Sequence, residues 1–160
     1  MTIERFILIA IAIISVSSTI YIPRDKIRIA LLSFLVFQAA TWLVSIILVQ
    51  SGKIIFPVRL FIKATAVNFI PQFLFYPTIF MWFILLFPNN RNMLLKLLHY
   101  IVFTSIMMWF IYFTSKYTHI SNYSTSNDCQ VIKSVYIRTF SQYIVCHLYI
   151  TWFFKEKSLT

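Results

Sequence analysis

Few side chains in this apolar sequence can do chemistry, and most of them fall in one stretch. Asn68, Gln72 and Tyr76 follow Thr65 at intervals of three or four residues, so a helix through them carries them on one face. Pro71 and Pro77 interrupt the same stretch. Neither can donate a backbone N–H, so the carbonyls of Val67 and Phe73 lose their helical partners and the helix is expected to kink or break twice. Asn68 or Gln72 is placed to cap what is freed. In hydrocarbon such groups need partners inside a bundle or at a cavity, which makes this stretch the first candidate for a working part.

Elsewhere the chemistry is thin. Cys146 and His147 are neighbours, but adjacent helical residues point about 100° apart and cannot act as a nucleophile and base on each other. His99 stands beside Tyr100 near the start of an apolar run and reads as interfacial. A proton-relay histidine needs a carboxylate or a second histidine within helical reach, and none stands there. All four carboxylates, Glu4, Asp25, Asp128 and Glu156, lie outside the apolar runs. Paired-carboxylate hydrolysis, metal binding and phosphoryl transfer therefore lack their parts, and no catalytic residue, metal or cofactor is expected. Cys129 and Cys146 are too few for a disulfide framework and are expected as free thiols. The single glycine, Gly52, excludes a glycine-rich phosphate loop and a GxxxG helix-pairing motif.

The elements that position these residues follow from composition. The 160 residues are 60% hydrophobic, 19% aromatic and 11% charged, with a mean hydropathy of +0.82, far from the roughly 45–50% apolar and about 25% charged of soluble domains. The expected fold is all-α: a polytopic integral membrane bundle in a single domain, 1–160, with about five transmembrane helices. Candidate spans are 6–22, 29–50, 64–88, 97–114 and 134–154, the third kinked by its prolines. Ser15-Val16-Ser17 imitates a signal-peptidase site, but the run continues through Ile22 behind a weakly basic start, which favours a retained helix. In the second span Gln38, Thr41 and Ser45 form a stripe expected to face protein as interhelical hydrogen-bonding glue. In the last, the register Arg138, Gln142, Cys146 and Tyr149 is polar. Arg138 either pairs with Asn68 or Gln72 or snorkels to the interface, and snorkelling is favoured. Residues 54–63 read as an interfacial helix with Arg59 and Lys63 at i, i+4. Residues 116–130 read as an exposed loop, containing a short sequon at Asn122-Tyr123-Ser124. The alternative topology makes 54–88 a re-entrant hairpin without a fifth span.

Lys+Arg 14 against Asp+Glu 4 gives a formal charge of +10. The bases sit beside apolar runs, as expected for anchoring to anionic lipid headgroups, and no base-reading motif accompanies them, so nucleic acid is not an expected partner. The positive charge divides almost evenly between the two ends of a five-span bundle. The neutral 116–130 loop then suggests an external amino terminus and a cytoplasmic carboxyl terminus.

Phe56-Pro57-Val58-Arg59 with Phe61 and Lys63, then Asn68 and Tyr76-Pro77, together with the spacing of apolar runs, resembles an uncharacterised family of small multi-pass membrane proteins from endospore-forming Gram-positive bacteria. The likeness is specific only across Pro57 to Pro77. It implies a bacterial plasma-membrane location and a fold, and carries over no catalytic residue. An acidic residue often stands in that family where this chain has Gln72, a departure that weakens any ion-coupling role there. The expected function is therefore non-enzymatic, through lipid, a membrane-protein partner or a homo-oligomer. The recognition residues are Arg59, Lys63, Asn68, Gln72, Tyr76, Pro77, Gln38, Thr41 and Arg138. The competing expectation is a transporter or channel subunit with a polar path at the broken third helix.

Overall fold

The computed structural model describes residues 3–57, 66–89, 91–118, 120, 122–123 and 128–157. Within them the chain is all-α, with helices α1 (Ile3–Thr19), α2 (Ile27–Gln50), α3 (Tyr76–Leu85), α4 (Met93–Tyr117) and α5 (Asp128–Lys157). The only sheet among the described residues is a two-residue ladder of β1 (Ile54–Ile55) and β2 (Asn122–Tyr123), antiparallel, with Ile54 opposite Tyr123. Helices α1, α2, α4 and α5 contain no glycine or proline, so nothing interrupts their backbone ladders. Among the described residues two helical segments, Arg24–Gln50 and Met93–Tyr117, are long and apolar enough to cross a membrane, while Pro71–Leu85 is apolar but shorter.

Helix α2 ends in a Schellman motif. Gly52 N–H donates to Val49 O at 3.0 Å and Lys53 N–H to Leu48 O at 3.0 Å, with Gly52 at φ 68°. No atom lies within 4 Å of where a Cβ would stand, so the left-handed backbone alone calls for glycine here. The motif turns the chain directly into β1.

The proline stretch, expected to kink or break twice, carries one π turn and no break in the helix. Helix begins at Phe69, passes through a π turn at Pro71–Phe75 and continues as α3. Pro71 sits in the first turn, where a missing N–H has no partner to lose. Pro77 cannot donate to Phe73, and the ladder adjusts one residue earlier, where Tyr76 N–H reaches back to Pro71 O. A single π turn thus carries the helix past both prolines. Gln72 does not cap a freed carbonyl; its side chain points to α2.

Two other expectations change. Ile54 and Ile55, expected to start an interfacial helix, form β1, and Arg59 and Lys63 lie outside the described residues. The 116–130 segment is not simply an exposed loop: its first residues complete α4, its last begin α5, Ile120 is buried and Tyr123 packs against the core.

Side-chain pairs fix the helix directions. Ser45 meets Gln72 and Phe37 meets Phe80, so α2 and α3 are antiparallel. Tyr143 meets Met107 and His147 meets Tyr100, so α4 and α5 are antiparallel too. The centre is aromatic: Phe37 stacks on Phe80 at 4.3 Å, and Tyr143 sets its edge against Phe37, Phe80 and Phe83 at 5.1–5.2 Å. Beside this aromatic core the bundle buries hydroxyls and amides and turns large apolar side chains outward. Ser15, Ser33, Thr41, Ser45, Asn68, Gln72, Thr104, Thr114 and Thr139 are buried, while Ile13, Val16, Leu31, Leu43, Ile47, Val102, Trp109, Val145 and Trp152 face outward.

Candidate functional site: a polar recess at one end of the bundle

Most of the polar residues that α2, the π turn and α5 bury converge on one place. Thr41 and Ser45 lie on the inward stripe of α2, one turn apart. Ser45 Oγ donates to Gln72 Oε1 at 2.8 Å, and Gln142 Nε2 donates to Thr41 Oγ1 at 2.8 Å. Each bond joins elements distant in sequence, and each fixes an amide that would otherwise be costly to bury.

These side chains line an inner chamber of about 50 Å³ together with Tyr76, Tyr123, Arg138 and Thr139. The chamber has room and hydrogen-bonding partners for a few waters. Beside it lies an outer chamber of about 430 Å³, lined by Lys53, Gln130, Val131, Ser134 and Val135. The two share Leu48, Ile54, Tyr123 and Arg138 as a common wall. No carboxylate lines either chamber among the described residues.

Arg138 is half-buried and stands beside Tyr123 on the wall the two chambers share. Burial raises the Tyr123 phenol above its ordinary value, and the Arg138 charge and hydrogen bond pull partly the other way. The β1–β2 ladder delivers Tyr123 to this position, since Ile54 lies opposite it and also lines both chambers.

The recess brings together Thr41, Gln72, Tyr76 and Arg138 of the residues that sequence singled out. Gln38 is only partly buried and lines neither chamber. Asn68 is fully buried before the π turn, and Pro77 is buried in the first turn of α3; neither lines the recess. Arg138 lines both chambers beside Tyr123, and no hydrogen bond joins it to Gln72, whose Oε1 accepts from Ser45. Sequence reading missed Tyr123 and Lys53. No local periodicity marks Tyr123, because a two-residue strand is too short to carry one.

A second polar group lies at the opposite end of the bundle. Tyr100 OH hydrogen-bonds His147 Nδ1, and His99 Nε2 lies 3.0 Å from Phe83 O. Phe87 sets its ring edge-on to both histidines. The histidine absent near His99 in sequence is thus supplied by α5. Cys146 is buried and free; it belongs to the aromatic core cluster, whereas His147 turns to Tyr100.

No protein-family model matches the chain, and no curated protein or solved structure matches it.

Proposed function

We propose that this chain is a multi-pass membrane protein of the bacterial plasma membrane, non-enzymatic, that acts through contacts its polar recess makes with lipid or with a partner. The observation that supports this reading is the apolar outer surface: large apolar side chains face outward along α1, α2, α4 and the second half of α5, while hydroxyls and amides are buried beside the aromatic core. An exposed apolar surface on several sides of a bundle suits hydrocarbon as its solvent. Antiparallel α2 and α3, and α4 and α5, suit successive crossings, with the recess opening at the end reached by the carboxyl end of α2 and the start of α5.

The transporter alternative needs a polar path across the bundle. Beyond Gln142 and Tyr76 the axis is filled by Phe37, Phe80, Phe83 and Tyr143, which favours a blind recess over a conduit. An intramembrane hydrolase finds no support either, since Cys146 and His147 face different neighbours.

Membrane insertion and side-specific cysteine labelling test the proposal. In a Cys129→Ser, Cys146→Ala background, single cysteines at Ser51 and Asn89 should react with impermeant maleimide from opposite sides, and the chain should resist alkaline carbonate extraction. Labelling of both from one side, or release by carbonate, rejects the multi-pass reading.

A further inference from the structure

The recess holds a cation in an unusual setting. Arg138 is ten residues, about 15 Å, along α5 from Asp128, and Glu156 is farther still in the other direction; among the described residues no carboxylate lines either chamber. Its neighbours in the recess are Lys53, hydroxyls, amides and apolar side chains. A half-buried guanidinium in such surroundings is costly unless an anion completes it. Its fork presents five N–H donors on the wall it shares with Tyr123. The Tyr123 hydroxyl, on the same wall, can donate its own proton to the same anion.

The outer chamber supplies the rest. Lys53, set by the Schellman turn at the end of α2, adds a second positive charge, and Ser134 and Gln130 add polar groups on α5. Two cations with donors on several sides match a tetrahedral oxyanion better than a planar carboxylate. A volume of about 430 Å³ takes a phosphate together with the polar group esterified to it. The position along the chain agrees: Arg138 is one helical turn inside the apolar segment 134–154, about 6 Å from its end, where lipid phosphates are within an arginine's reach.

We infer that the outer chamber is a binding site for a phosphate ester, clamped by Arg138 with Tyr123 and approached past Lys53. This rests on the membrane reading for one of its two sources, the headgroup of an anionic glycerophospholipid; the other source is a free phosphate ester from solution. Arg138 supplies the fork, Tyr123 adds its hydroxyl, and the inner chamber completes the polar surroundings.

The test uses the full chain in nanodiscs of phosphatidylcholine and phosphatidylglycerol in equal amounts, released for native mass spectrometry. Wild type should retain phosphatidylglycerol over phosphatidylcholine. Arg138→Gln should lower that preference by about tenfold or more, as loss of a charge-assisted pair predicts. Arg138→Lys, which keeps the charge without the fork, should fall between them and guards against a folding defect. Arg91→Gln, an exposed cation near the other end of α3, should change nothing. In a second arm, thermal unfolding in phosphatidylcholine alone is followed with added glycerol 3-phosphate or inorganic phosphate. Stabilisation that Arg138→Gln abolishes assigns the site to a soluble phosphate ester. Equal retention by wild type and Arg138→Gln, with no stabilisation in the second arm, overturns the proposal. Flotation of the same sample with its bilayer reports insertion separately. A chain that floats without selecting phosphate loses the site, and a chain left in solution loses the membrane reading while its phosphate binding is still read.

Discussion

Ser45 Oγ donates a 2.8 Å hydrogen bond to Gln72 Oε1, tying the inward stripe of α2 to the π turn. Buried interhelical bonds of this kind average about 0.6 kcal/mol and reach about 1.7 kcal/mol, because the separated helices find other partners. A double-mutant cycle of Ser45→Ala and Gln72→Met, read by denaturant unfolding in mixed micelles, should therefore give a coupling near that average. Strict additivity would mean the bond contributes nothing to holding the bundle together.

The aromatic centre should matter much more. Phe80 is fully buried, stacks on Phe37 and meets Tyr143 edge-on. Phe80→Ala is expected to cost about 3–5 kcal/mol, transfer and cavity combined. Ile13→Ala, on an outward face of α1, should stay within about 0.5 kcal/mol. The same unfolding assay compares them, and similar losses at the two positions would contradict the packing described.

These contrasts show which parts of the structure could be read from residues alone. The helices were legible because long runs free of glycine and proline have few other options. The stripe at Thr41 and Ser45 was legible as protein-facing because hydroxyls and amides in hydrocarbon seek partners. Their particular partners were not: Gln142 bonds Thr41 across 101 residues, and helical periodicity carries no information about that. Pro71 and Pro77 announced a disturbance, expected as two kinks or breaks, and it takes the form of one π turn, since the ladder could shift register at Tyr76. Arg138 could snorkel or turn inward. Beside it on the recess wall stands Tyr123, delivered by a two-residue strand that leaves no pattern in the sequence.

Pro77 tests the origin of that register shift. Restoring the N–H with Pro77→Ala lets residue 77 donate to Phe73 O, which favours an uninterrupted α ladder over the π turn. Gln72 would then rotate relative to Tyr76 and lose its alignment with Ser45. In a background lacking the native cysteines, a Ser45→Cys, Gln72→Cys pair should crosslink readily with Pro77 present and several-fold more slowly with Pro77→Ala. Equal crosslinking in both would show that the π turn does not depend on the proline.

Tyr123 gives the recess a signature in alkaline solution. Burial disfavours its phenolate and raises the phenol above the ordinary value of 10.0, with Arg138 opposing through its charge and hydrogen bond. The folded protein thus holds this proton more tightly than the unfolded chain. Its contribution to stability is fully present below the ordinary value and is lost as pH rises through the raised one. Unfolding should become easier with increasing pH in that window, and Tyr123→Phe should flatten this part of the profile. Arg138→Gln removes the group that favours the phenolate, so tyrosinate absorbance assigned to Tyr123, by difference from the Arg138→Gln, Tyr123→Phe double variant, should appear at still higher pH than in wild type. Ionisation of Tyr123 at the same pH with and without Arg138 would show that the two do not share the wall of the recess.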